Sequence, residues 1–333
     1  KYRERGDFGM RGGPMYYLAK GANLPVLAWL FALFTALATF GIGNMTQANA
    51  VAGIFHSTFS IEPWMTGVVL TLLTGVVILG GIRSIANFTS FLVPFMILCY
   101  VIAAGVVLAL NASEIPGALS LIFYHAFNPI AAGGGFAGAA VAAAIRYGVA
   151  RGVFSNESGL GSAPIAAAAA RTKDPVKQAL VSMTQTFIDT LVVCTMTALV
   201  ILTATPWTQG VGAASLTSQS FAETLGHTGE LIVAIATALF AFSTILGWSY
   251  YGEKAIEYLT NSLGGRGAVR HAIHGYRLVF TSVVIVGAMM QLDFVWNFSD
   301  LANGLMAIPN LIALLLLSKV IKQETDRYFN TLK

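Results

Sequence analysis

Charged side chains are scarce in this sequence. Asp, Glu, Lys and Arg together make up 10% of its 333 residues, against about 25% in an ordinary soluble domain. A water-facing surface of normal composition cannot be built from so few. Cysteine is nearly missing: Cys99 and Cys194 both lie in apolar runs, where they read as small packing residues and give neither a disulfide framework nor a metal-ligand spacing. No HExxH or CxxC pattern occurs, and no nucleophile stands at a recognisable spacing from a base. The run Gly133-Gly-Gly-Phe-Ala-Gly138 lacks the Lys-Ser/Thr of a phosphate-binding loop. These absences argue against an enzyme. The net charge of +4 is better read as membrane topology than as affinity for nucleic acid, which is not expected as a partner.

Apolar residues fill the space that charge leaves, at 56% of the chain with a mean hydropathy of +0.71. The chain is therefore expected to be an all-α polytopic protein whose first partner is the lipid bilayer. Its 34 glycines and frequent Ala, Ser and Thr suit helices that pack closely in lipid.

With about 20 apolar residues per crossing, eight membrane segments are expected, at 24 to 54, 64 to 80, 85 to 110, 140 to 171, 176 to 204, 229 to 262, 268 to 290 and 294 to 319. The basic residues give an independent check, because Lys and Arg gather in cytoplasmic connections. Lys1, Arg3, Arg5, Arg11 and Lys20 precede the first segment, and Arg83 follows the second. Arg171, Lys173 and Lys177 follow the fourth; Lys254, Arg266, Arg270 and Arg277 surround the loop after the sixth; Lys319, Lys322, Arg327 and Lys333 follow the eighth. Connections 55 to 63, 111 to 139, 205 to 228 and 290 to 293 have none. This alternation sets 1 to 23 as a cytoplasmic lead-in, 24 to 319 as the membrane region of one transporter-like domain, and 320 to 333 as a cytoplasmic tail. The longer connections 111 to 139 and 205 to 228 read as interfacial helices over an external vestibule. The chain opens at Lys1 with neither an initiator Met nor a signal-peptide core and reads as part of a longer protein.

The fourth segment is interrupted. Its ends are Ala-rich, while Phe154-Ser-Asn-Glu-Ser-Gly-Leu-Gly-Ser-Ala-Pro164 collects small polar residues, two glycines and a proline where a helix is weakest. Non-helical backbone at membrane depth survives only in a cavity or buried in protein, so the break marks a candidate binding site. Ser155, Asn156 and Ser158 offer hydroxyls and an amide there, and half-helix ends present partial charges suited to an amino acid's termini or to a small cation. Phe154 at the edge reads equally as a lid or as core. Glu157 is an acid at mid-depth with Arg151 as the nearest basic residue; a structural ion pair and a role in gating or proton coupling are both compatible with that spacing.

Other polar residues fall within the apolar segments. Asn44 and Gln47 stand three apart and are expected to share a face, either bonding between helices or lining a cavity. Ser182, Gln185, Thr186 and Asp189 recur at helical spacing, so Asp189 is either functional or satisfied by that hydroxyl and amide stripe. Ser243 and Thr244 suit a hard cation such as Na⁺, which takes oxygen ligands, or bond back to the preceding turn. Trp248 follows one turn on, on the Thr244 face. Asp300, Asn303 and Asn310 share a face that reads as helix packing.

Four stretches resemble the alanine or glycine:cation symporters of bacteria and archaea. They are Gly12-Gly-Pro-Met-Tyr-Tyr17, Gly43-Asn-Met-Thr-Gln-Ala-Asn49, Gly152-Val-Phe-Ser-Asn-Glu-Ser-Gly-Leu-Gly-Ser-Ala-Pro164 and Ser243-Thr-Ile-Leu-Gly-Trp-Ser-Tyr-Tyr-Gly-Glu253. The resemblance runs the length of the chain. It implies a leucine-transporter-type inverted-repeat fold in a bacterial or archaeal plasma membrane, with the break in the sixth core helix and the eight segments as core helices three to ten. The first two core helices and an additional leading helix would be missing. By the resemblance Gln47 would contact the substrate, Phe154 would close over it, and the turn from Phe154 through Ser155 and Asn156 to Gly159 would hold its polar groups. Thr244 and Trp248 would bound the side-chain pocket, and Ser243 with Thr244 would form half of a Na⁺ site. Glu157, Arg151 and Asp189 would remain for coupling or gating. The implied function is Na⁺-coupled symport of a small amino acid, alanine or glycine; H⁺-coupled amino-acid transport on the same fold is the alternative, ahead of a channel or an intramembrane enzyme.

Overall fold

The computed structural model describes residues 1–7, 9–127, 137–261 and 265–331. Gly133 to Gly135 of the glycine run lie outside the described residues, and the side chain of Arg83 is among those not described. Thirteen helices, counted through their π turns, make up almost all of the described structure.

The long apolar elements are α2 (Pro25–Phe59), α3 (Pro63–Leu79), α4 (Gly81–Leu110), α8 (Pro175–Thr203), α10 (His227–Asn261), α11 (Arg266–Met289) and α12 (Leu292–Leu316). Six of the described helices are long and apolar enough to cross a membrane, and the 17-residue α3 is a shorter apolar helix. Proline opens α2, α3 and α8 at the first turn, where its missing N–H costs nothing. Asp174 caps α8 by accepting from the N–H groups of Val176 and Lys177 at 2.8 and 3.2 Å.

The interrupted segment consists of α6 (Ala137–Asn156) and α7 (Ala163–Ala167). The division is unequal. The 20 residues of α6 span about 30 Å at 1.5 Å per residue, and α7 is a single short turn near the basic end. The connections carry α5 (Ile115–Phe127) and α9 (Ala213–Leu225). The end beyond α12 is α13 (Ser318–Thr331), an exposed polar helix.

The lead-in is more ordered than its charge alone indicates. Glu4–Gly6 and Gly9–Arg11 pair as an antiparallel hairpin, and α1 (Pro14–Lys20) follows with Met15 and Leu18 fully buried. Its basic residues act as ties. Arg3 donates to the carbonyls of Ala168, Ala170 and Thr172 at 3.1, 2.6 and 2.6 Å, the free carbonyls just past α7. Lys1 meets Glu324 at 2.7 Å, Arg266 meets Asp7 at 3.0 Å, and Arg11 bridges Glu4 and Glu257 at 3.2 and 3.6 Å.

The core gathers where α2, α10, α11 and α12 cross. At its centre Gly41–Met45 forms a π turn within α2, and such turns displace backbone carbonyls from the regular ladder. Thr46 and Gln47 take up two of these, donating to Gly41 O at 3.1 Å and to Ile42 O at 2.9 Å. Small residues allow the approach: a Cβ on Gly43 would collide with the Trp248 side chain of α10, and one on Gly287 with Met45. Cys99 is exposed on α4 and Cys194 is half-buried, both as free thiols.

Candidate functional site

The break runs from Glu157 to Ser162. Glu157 takes a left-handed backbone with φ 56°, unusual for a residue with a Cβ, and Gly159 and Gly161 follow with φ 82° and 89°. Side chains hold this turn from within and from two other helices. The N–H of Glu157 donates to Val153 O at 2.9 Å, and the N–H of Ser158 to Asn156 Oδ1, also at 2.9 Å. Asn310 of α12 donates to Gly159 O at 2.9 Å and accepts from the Tyr17 hydroxyl of α1. A Cβ at Gly161 would press on Pro14, Asn310 and Phe31 at 2.6 to 3.0 Å, so glycine is required there by space as well as by φ.

The Glu157 carboxylate is engaged on both oxygens. Oε1 accepts from Trp248 Nε1 at 2.8 Å and Oε2 from Ser162 Oγ at 2.5 Å. The pairing with Arg151 expected from spacing does not form. Arg151 holds Asp300 of α12, at 2.5 and 2.6 Å to the two carboxylate oxygens, and its guanidinium lies 4.0 Å from the Trp296 ring centroid. Glu157 has left-handed backbone that turns its side chain off the α6 face on which Arg151 lies, and α12 brings Asp300 to that face instead. Phe154 packs on Trp296 with centroids 4.8 Å apart, half-buried beside the main core.

Asp189 lies in a π-helical stretch of α8, Phe187–Cys194. Its partners are not Gln185 and Thr186. Oδ2 accepts from Ser155 Oγ of the broken segment at 2.7 Å and from Thr190 at 3.2 Å. The π stretch rotates Asp189 off the regular stripe and towards α6, which makes the acid a tie between two elements.

On α2, Asn44 and Gln47 do not share a partner. Asn44 is fully buried and donates to Phe280 O of α11 at 2.7 Å, whereas Gln47 folds back to Ile42 O. The π turn supplies the reason, since it changes the angular step between them. Gly43 meets Trp248, and Gln47 stands about one turn further along α2.

Trp248 is 1% exposed. Gly43 lies against it, Tyr251 meets it edge-on at 5.3 Å, and Glu157 takes its N–H. Ser243 and Thr244 lie at the previous turn of α10, both half-buried, and donate to Phe240 O at 2.8 and 3.0 Å. A hydroxyl that donates its proton to the helix keeps its lone pairs for a cation. Among the described residues no cluster of three or more His, Cys, Asp or Glu is fit for a metal.

Two cavities flank α7 at the basic end. One of about 620 Å³ is lined by Arg3, Tyr17, Ala167, Gln178 and Leu317. The other, about 690 Å³, is lined by Asn87, Ala166, Gln178, Gln185 and Tyr250. Neither lining includes Gln47, Phe154, Thr244 or Trp248; the void expected among those four is not either of these spaces. Sequence reasoning missed Asn310 as a support of the break. The sequence signal for it is an amide in an apolar helix, one residue after Pro309.

Residues 1–333 match the sodium:alanine symporter family over the whole chain. The chain is 52% identical to the sodium/alanine symporter AgcS of Methanococcus maripaludis, across 98% of this chain and 72% of that protein. It is 49% identical to an uncharacterised transporter of Haemophilus influenzae, across 100% of this chain and 72% of the relative. A probable sodium/glutamine symporter, GlnT of Bacillus subtilis, is 38% identical across 96% of this chain and 65% of its own length. With its helical, multi-pass architecture, the chain belongs to the sodium:alanine symporter family, secondary active amino-acid transporters and not enzymes.

Proposed function

We propose that the protein couples Na⁺ entry to uptake of a small amino acid, alanine or glycine, by alternating access about the break between α6 and α7. The observation that carries this is the turn Glu157 to Ser162, tied at one place to α10 through Trp248 and to α12 through Asn310. Free backbone groups in this turn, with Ser155, Asn156 and Gly159, are the polar cradle for the substrate. Phe154, Gln47, Thr244 and Trp248 bound its side chain. Aromatic walls leave room only for a small one.

Na⁺ travels as co-substrate, with Ser243 and Thr244 as two of its oxygen ligands. A cation of this kind takes about six, and backbone carbonyls of an unwound helix facing the site are the expected source of the rest. The eight segments are core helices three to ten of an inverted-repeat fold, and the whole chain is one transporter domain. The protein resides in a bacterial or archaeal cytoplasmic membrane with the basic end inside, in keeping with the alternation of Lys and Arg.

The test is uptake of labelled alanine into proteoliposomes under an inward Na⁺ gradient, with choline replacement and an imposed proton gradient as controls. Uptake that requires Na⁺ and is competed by glycine supports the proposal. Uptake driven by protons alone, with Na⁺ absent, overturns the choice of coupling ion.

A further inference from the structure

Glu157 is a carboxylate inside the membrane bundle whose side-chain partners, among the described residues, are donors without charge. Among the described residues no Lys or Arg is paired with it, because Arg151 is taken by Asp300. Asp189, the other acid near the break, binds Ser155 and Thr190 and leaves Glu157 alone. What Glu157 does is therefore settled by where its two oxygens go.

One oxygen reaches Ser162, the last residue before α7, and the other reaches Trp248 on α10. The backbone of Glu157 continues from α6 through its N–H to Val153 O and receives Leu160 N–H at 3.2 Å. A single residue thus joins the end of α6, the start of α7 and the middle of α10. The indole N–H is the only polar atom Trp248 owns. With Gly43 against its root and Tyr251 against its ring, the bond to Glu157 fixes the remaining freedom of the indole about its own axis.

We infer that Glu157 is a positioning residue for the substrate, which it serves by holding the Trp248 indole as a pocket wall while closing the turn onto Ser162. This rests on the proposed function, in which Trp248 bounds the pocket. The left-handed backbone of Glu157 is part of the device. At φ 56° the side chain leaves the helical path of α6 and points across to α10; a strained conformation on a non-glycine residue persists only when its surroundings hold it. Because the effect is geometric, an acceptor oxygen is what the site needs, and a full negative charge is secondary.

The experiment is Na⁺-driven alanine uptake in proteoliposomes by wild type, Glu157→Gln, Glu157→Ala, Trp248→Phe and the two double variants, each checked for monodispersity. Gln keeps an oxygen for the indole, so KM for alanine should rise only about threefold, against about tenfold for Ala, which loses the hydrogen bond outright. The maximal rate should change less than KM in both. Trp248→Phe removes the N–H and keeps a ring; it should raise KM in the wild-type background and add little to Glu157→Ala, since both cut the same bond. If the Ala variant does not reach the membrane, the Gln pair completes the cycle. Additive effects, or a Gln variant as impaired as Ala, overturn the positioning role and leave symport standing. No Na⁺-driven uptake by wild type removes the proposed function and this inference with it.

Discussion

One terminal nitrogen of Arg151 holds both carboxylate oxygens of Asp300, although the two residues are 149 positions apart and Glu157 lies only six positions away. The pair joins α6 to α12 above the break, under the ring of Trp296. Each side chain is about a third exposed, at 36% and 31%, so its net contribution is of the order of 1 kcal/mol. Asp300→Asn should lower the apparent melting temperature in detergent by a few degrees. Arg151→Lys should be destabilising as well, because an ammonium loses the stacking of the guanidinium on Trp296. A Lys variant as stable as wild type would show that the guanidinium's geometry is irrelevant.

Asn310→Ala removes the one side chain that bonds both Gly159 O and the Tyr17 hydroxyl. Each group left unsatisfied costs about 1 to 3 kcal/mol. The variant should be markedly less stable than Asn111→Ala, which lies in a connection away from the break and bonds Val107 O and Thr224. Thermal unfolding followed by size-exclusion fluorescence distinguishes them; equal stability would mean that the turn is held without Asn310.

Ser243→Ala and Thr244→Ala should raise the Na⁺ concentration for half-maximal uptake about tenfold while leaving stability near wild type. Both hydroxyls donate only to Phe240 O within their own helix, and alanine is the better helix former. The folded state therefore loses little, and the loss falls on the cation. Unchanged Na⁺ dependence in both variants would remove these two oxygens from the ion site.

The lead-in gives a pH dependence with a definite sign. A hydrogen bond from Lys20 holds the Glu4 carboxyl below its ordinary range, with Arg11 adding to it. A carboxyl whose pKa is lower in the folded protein stabilises it above the unfolded value near 4.5. That contribution is lost as pH falls through the folded value. Glu4→Gln should therefore reduce the difference in melting temperature between pH 7 and pH 4. The effect should be small, because the side chain keeps part of its surface, 25%, open to solvent.

Segment positions were legible in the sequence, and partners were not. Hydropathy placed the helices α2, α3, α4, α8, α10, α11 and α12 within a few residues, since a long apolar run is visible in the sequence itself. The break was legible because Gly159, Gly161 and Pro164 weaken a helix wherever they occur. Asp300 as the partner of Arg151, Ser155 as that of Asp189 and Trp248 as that of Glu157 were not legible. Spacing reports neighbours on one helix, and these pairs are set by packing between helices. The π turns at Gly41–Met45 and Phe187–Cys194 shifted Gln47 and Asp189 off the faces that a regular helix assigns. The hairpin of Glu4–Gly6 with Gly9–Arg11 was hidden by the basic charge around it.

The central claim is that the break between α6 and α7 holds the transported amino acid. Ser155 is exposed at that turn, so Ser155→Cys, with Cys99, Cys194 and any cysteine outside residues 1–333 replaced by Ala, places a single reactive thiol beside the proposed cradle. The measurement is the rate of maleimide labelling in membranes with Na⁺, with and without alanine. At alanine about ten times above its dissociation constant, labelling should slow about tenfold, and leucine at the same concentration should protect far less. Equal labelling with and without alanine, in a protein that still takes up alanine, would place the substrate elsewhere.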